Sequence, residues 1–121
     1  MAQPHTPSSQ VVHIGPLGAQ LAQATTTAII KSQQLEVVRV VLPAGKALRE
    51  HRTPGEITLH CLEGAVQLST GGTEQPLRAG DFVHLPGGAP HALVALQDAS
   101  LLLTICLIAP QPQGVGTAPP I

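Results

Sequence analysis

Apolar and polar residues alternate along most of this chain in short runs, and glycine or proline closes nearly every run. In Leu35-Glu-Val-Val-Arg-Val-Val-Leu42 a period of two puts Val38, Val40 and Leu42 on one face and Val37, Arg39 and Val41 on the other. That pattern predicts a strand with both faces partly covered. Thr25–Lys31 is β-branched and extended in character, and Ile57–Leu62, Ala65–Thr70, Phe82–Leu85, Ala92–Leu96 and Ser100–Ile108 read as further strands. Turn residues separate them at Pro43-Ala-Gly45, Glu63-Gly64, Ala79-Gly80, Pro86–Pro90 and Gln97-Asp-Ala99. Thr70-Gly-Gly-Thr73 is a hairpin signal, because the two glycines supply the positive φ that primed turns require. Only Pro16–Ala24 carries a weak helical hint. Many short strands at close intervals predict an all-β sandwich or barrel.

The ends differ from the middle. Met1–Gln10 is polar with two prolines, and Pro110–Ile121 is rich in proline and glycine. Neither buries enough apolar area to offset its ordering, so both are expected to be flexible tails around one domain spanning residues 11–109. At 121 residues the chain is long enough for one core.

Composition narrows the chemistry. With 43% hydrophobic and 11% charged residues, 12 Gly and 12 Pro, the chain reads as compact and turn-rich. Phe82 is the sole aromatic, so aliphatic side chains and histidines must line any ligand pocket. Stacking on single-stranded nucleic acid is excluded for the same reason. The net charge of −1 and the scatter of Lys31, Arg39, Lys46, Arg49, Arg52 and Arg78 give no phosphate-tracking stripe, and the denser Lys46–Arg52 group reads as a solvated strand end. The opening residues show neither a charged nor an apolar leader region. The longest apolar run, Leu101–Ala109, is far short of the ~20 residues that span a bilayer. A soluble, cytoplasmic protein with no membrane partner is expected. Cys61 and Cys106 lack metal-site or disulfide spacing and are expected to be reduced core residues.

Two segments carry the candidate chemistry. The first runs Gly45-Lys-Ala-Leu-Arg-Glu-His51-Arg-Thr53-Pro-Gly-Glu56-Ile57-Thr-Leu-His60-Cys-Leu-Glu-Gly64, the second Gly80-Asp-Phe-Val-His-Leu-Pro86-Gly-Gly88-Ala-Pro-His91. Together they resemble the paired signatures of the cupin family, small RmlC-like jelly-roll barrels (double-stranded β-helices). Gly45, His51 and Gly64 fall in register with the first signature. Gly80, Pro86, Gly88 and His91 fall in register with the second. The signatures span residues 45–64 and 80–95, and the likeness with flanking strands covers roughly Leu35 to Ile108. It implies a barrel whose inward side chains converge on one divalent transition metal (Fe, Mn, Ni or Zn), a small-molecule ligand and a homodimer.

The departures bear on function. Thr53 stands at the family's second histidine, Ile57 at its glutamate and Ala95 at its asparagine. A neutral hydroxyl is a poor substitute for imidazole on a transition metal. Glu56 lies one residue from the expected carboxylate, and a one-residue slip turns a strand side chain to the other face. With Ile57 inward, Leu59 and Cys61 point inward too, while Glu56, Thr58 and His60 point out. A β-bulge at Pro54-Gly55 would invert this and bring Glu56 and His60 in. The spacing to Gly64 favours the first arrangement. His51, His91, Glu56 and His60 are therefore the candidate metal ligands, with the last two dependent on the bulge. Thr53, Thr58 and Glu56 form a second candidate, a polar patch for a small ligand without metal. His84 is expected to be exposed, Asp81 to serve a turn, and His5 and His13 to have no role. Cys61 points away from His60, which argues against a cysteine nucleophile.

Two function classes follow from the resemblance: a metal-dependent oxygenase or isomerase with His51 and His91 as ligands, or a non-enzymatic binding or sensor protein with a vestigial site. A third is a structural dimer with a vestigial pocket. The fold hosts many functions and cannot choose among them.

Overall fold

The computed structural model describes residues 5–108. Among them nine strands form: β1 Thr27–Lys31, β2 Leu35–Leu42, β3 Ala47–His51, β4 Ile57–Glu63, β5 Ala65–Thr70, β6 Thr73–Arg78, β7 Phe82–Leu85, β8 His91–Ala95 and β9 Ala99–Cys106. Pairing is antiparallel throughout. One sheet has the order β1-β2-β9-β4-β7 and the other β3-β8-β5-β6. The expected all-β jelly-roll barrel is what the chain forms.

The two sheets face each other across an aliphatic core. Val40, Leu42, Ile57, Leu59, Cys61, Val66, Leu68, Leu93, Leu101 and Leu103 are all buried in it. Each comes from alternate positions of its strand, so the period-two pattern is the cause of the layer. β2 pairs with β9 in unbroken register from Leu35↔Cys106 to Leu42↔Ala99, joining the first long apolar run to the last.

Glycine is required where the chain turns sharply between sheets. Gly64 has φ +76 between β4 and β5, and a Cβ there would collide with the Asp98 carbonyl. Gly71 and Gly72 both have positive φ, so the β5–β6 hairpin closes through the expected primed turn.

The structure departs from the sequence pattern in two strands and one cysteine. β3 and β6 are strands the periodicity does not announce. The helical hint over residues 16–24 is met by a short 3-10 helix, Gly18–Gln23. Cys106 is half-buried rather than in the core, although both cysteines are free. Of the expected tails, 1–4 and 110–121 lie outside the described residues, and within 5–10 the Thr6 N–H donates to the Ile29 carbonyl at 2.8 Å.

The segment before β1 is pinned to the first sheet by one carboxylate. Glu63 accepts from the Leu17 N–H (2.9 Å to Oε2, 3.1 Å to Oε1), from the Gly18 N–H (3.0 Å) and from the Ser100 hydroxyl. Burial alone would raise its pKa. The donors Leu17, Ser100 and Gly18, with the Arg39 charge, outweigh burial and hold it below the usual glutamate value.

Candidate functional site

His51 ends β3 and His91 begins β8, and the two are direct cross-strand partners. Their ring centroids lie 4.2 Å apart in an edge arrangement with an interplanar angle of 60°. His91 is buried at 3% exposure, whereas His51 is exposed at the end of the barrel.

A bulge creates this meeting. Leu48 opposes Leu93, but the next partners are His51 and His91, so Arg49 and Glu50 together face the single residue Ala92. With unbroken register Glu50 would stand opposite His91, and His51 would turn outward. The extra residue re-aims His51 onto the inner face. The bulge considered at Pro54-Gly55 does not occur; the one that matters lies a few residues earlier, in β3.

Each ring is then oriented by a main-chain carbonyl two residues back. His51 Nδ1 donates to the Arg49 carbonyl at 2.9 Å and His91 Nδ1 to the Ala89 carbonyl at 3.1 Å. A carbonyl only accepts, so Nδ1 carries the proton and Nε2 of each neutral ring is left with a free lone pair. Burial, foremost, pushes the His91 imidazole below its ordinary pKa. The bond to Ala89 opposes that shift and the charge of His51 adds to it. His91 is thus held in the neutral form that accepts hydrogen bonds or ligates a metal.

The other candidates stand elsewhere. Ile57 faces inward at 3% exposure, with Leu59 and Cys61 on the same side. Glu56 therefore turns outward, where its Oε1 meets His84 Nε2 at 2.6 Å on the exposed face. His60 shares that outer side and packs edge-on against Phe82, with centroids 6.2 Å apart. Thr58 pairs with His84 and Thr104, away from the two histidines. Glu56 and His60 do not join His51 and His91, because the alternation of β4 runs unbroken from Ile57 to Cys61. Thr53 is occupied too: its hydroxyl donates to the Gly55 carbonyl at 2.9 Å, while its own carbonyl accepts from the Gly88 N–H at 2.7 Å. The bond from Gly88 fastens the first signature loop to the second, and the hydroxyl bond stays within the first loop.

Sequence reasoning missed two features. Thr70 is the partner of His91 on β5, and its hydroxyl donates to the Pro90 carbonyl at 2.7 Å, fixing the loop that delivers His91. The Glu56–His84 pair was missed because it depends on the β4–β7 register, which no local motif encodes.

The family model for the cupin domain matches residues 38–107. The chain belongs to the cupin family. Among solved structures this cupin is similar to a conserved protein of unknown function from Streptococcus pyogenes, at 19% identity over 93% of this chain and 97% of that one, TM-score 0.69. A cupin superfamily protein from Desulfitobacterium hafniense matches at 14% identity over 87% and 97%, TM-score 0.71. A predicted oxalate decarboxylase from Thermotoga maritima matches at 22% identity over 69% and 79%, TM-score 0.63. At these identities the likeness shows the fold alone. Among curated proteins none matches. No helix among the described residues is long and apolar enough to cross a membrane.

The donor set can now be compared with the family's metal. Two imidazoles converge, but Ile57 closes the carboxylate position and the Thr53 hydroxyl is committed to a carbonyl. Among the described residues no group of three His, Cys, Asp or Glu side chains stands close enough to share an ion. Functional metal sites commonly supply three or more protein ligands. These residues do not fit the family's four-ligand centre.

Proposed function

We propose that this cupin binds a small polar molecule without chemistry on it, using His51 and His91 as its recognition pair. The observation that carries this reading is the shared tautomer: both Nδ1 atoms are spent on carbonyls, so two adjacent rings offer only acceptors. Two neighbouring acceptors call for a ligand that donates, such as a hydroxyl or an amine.

The same two lone pairs support a second reading, a divalent transition ion (Fe, Mn, Ni or Zn) held by His51 and His91 with solvent in the remaining positions. Bound there, such an ion would act as a Lewis acid or take a substrate at an open position, the chemistry of an oxygenase or isomerase. Two protein ligands bind weakly, which favours the first reading. Elemental analysis of protein purified without a histidine tag separates them. Metal well below one equivalent is expected; a stoichiometric content that His91→Ala abolishes would overturn the binding reading in favour of the metal one.

A cytoplasmic homodimer belongs to the same proposal. Free Cys61 and Cys106 suit a reducing compartment. Phe82 at 63% and Leu35 at 45% exposure leave apolar area on the first sheet for a second copy. Light scattering should return twice the chain mass; a monomer at micromolar concentration would contradict it.

A further inference from the structure

A cavity lies outside the barrel, between the segment preceding β1 and the outer face of β1 and β2. Its volume is about 360 Å³, and its walls include Arg39, His13, Gln23, Ile14, Leu17 and Ile29. That volume falls in the ~300–1,000 Å³ range of small-molecule pockets.

Arg39 is the unusual member. Its Nη1 is shut off from solvent and has no hydrogen-bond partner among the described residues. Burying an unpaired donor on a cation is costly, and native structures pair such groups. The nearest source of compensation is Glu63, whose charge is felt at Arg39, yet both its oxygens are already engaged by Leu17, Gly18 and Ser100. No ion pair to Arg39 forms among the described residues. Arg39 therefore brings to the cavity a cation with one unpaired donor, beside walls that mix aliphatic side chains with the polar ones of His13, Gln23, Thr25 and Thr27.

We propose that this cavity is a second ligand site, which takes a small organic carboxylate with an aliphatic body and anchors it on Arg39. The carboxylate pairs with the part of Arg39 that lines the cavity, in the charge-assisted geometry that guanidinium favours. Ile14, Leu17 and Ile29 cover the aliphatic part, and Gln23 and His13 lie beside it. Gly15 leaves room for the His13 ring, since a Cβ there would sit 2.5 Å from Nε2. The site stands independently of His51 and His91.

Titration of the ¹⁵N-labelled protein with hexanoate, and in parallel with its neutral analogue hexanamide, tests this. Hexanoate should give saturable shifts at the amides of Thr25, Thr27, Ile29 and Arg39, while hexanamide binds about tenfold more weakly or worse. Arg39→Met should remove the hexanoate response and Arg39→Lys weaken it several-fold, with His51→Ala leaving it unchanged. Absence of saturable shifts, equal binding of the two probes, or shifts centred on His51 and His91 would overturn the proposal. The comparison of the two probes on the unaltered protein decides the matter even where an Arg39 variant fails to fold.

Discussion

His51–His91, a cross-strand pair, and Glu56–His84, a side-chain contact made just ahead of β4, occupy opposite situations. The first lies on the inner face of its sheet, with one ring buried and both tautomers set by carbonyls. The second lies on the outer face, with side-chain exposures of 51% and 67%. A histidine takes part in each. What separates them is the alternation of β4 and the extra residue in β3, which decide whether a side chain meets a partner in a dry or a wet environment. A polar pair in the wet environment contributes little to stability, because water already satisfies it.

Substitutions should widen that contrast. The largest effect is expected from His91→Ala, which opens a cavity and leaves the Ala89 carbonyl without its donor. A loss of about 2 kcal/mol in urea unfolding is expected; a loss under about 0.5 kcal/mol would show that the ring is not buried as described.

The pH dependence comes next. Burial lowers the folded-state pKa of His91 below the ordinary 6.5 that the unfolded chain retains. Between the two values the unfolded state binds more protons. The His91 contribution to stability is thus full above about pH 6.5 and declines as pH falls toward the folded value. Urea midpoints measured from about pH 7.5 down to about pH 5.5 should fall less steeply in His91→Gln than in the unaltered protein. Equal slopes would contradict this.

The smallest effect is expected at the outer pair. Glu56→Gln and His84→Ala should each change stability by no more than about 0.5 kcal/mol. A change above about 1.5 kcal/mol would mean that the pair is far less solvated than its exposure indicates.

Much of this architecture could be read from residue order. The bounds of β2, β5 and β7 coincide with the apolar runs Leu35–Leu42, Ala65–Thr70 and Phe82–Leu85, because each run is closed by turn residues. β3 and β6 escaped because each turns only one apolar side chain toward the core. Ala47-Leu-Arg-Glu-His51 offers one core-facing residue, Leu48, and Thr73–Arg78 buries only Leu77 and carries Pro76, which an edge tolerates. The spacing of the two signatures located His51 and His91 correctly on neighbouring strands. The bulge that lets them meet was not legible, since it is a mismatch between two strands rather than a property of either. For the same reason the alternatives for Glu56 and His60 could be named from sequence, but only the unbroken register of β4 chose between them.

The convergence and tautomers of the two rings can be read directly from long-range ¹H–¹⁵N correlation and nuclear Overhauser spectra of the histidine side chains at neutral pH. Both His51 and His91 should show a protonated Nδ1 and a bare Nε2, with cross-peaks between the two rings. A proton on Nε2 of either ring, or no contact between them, would contradict the recognition pair.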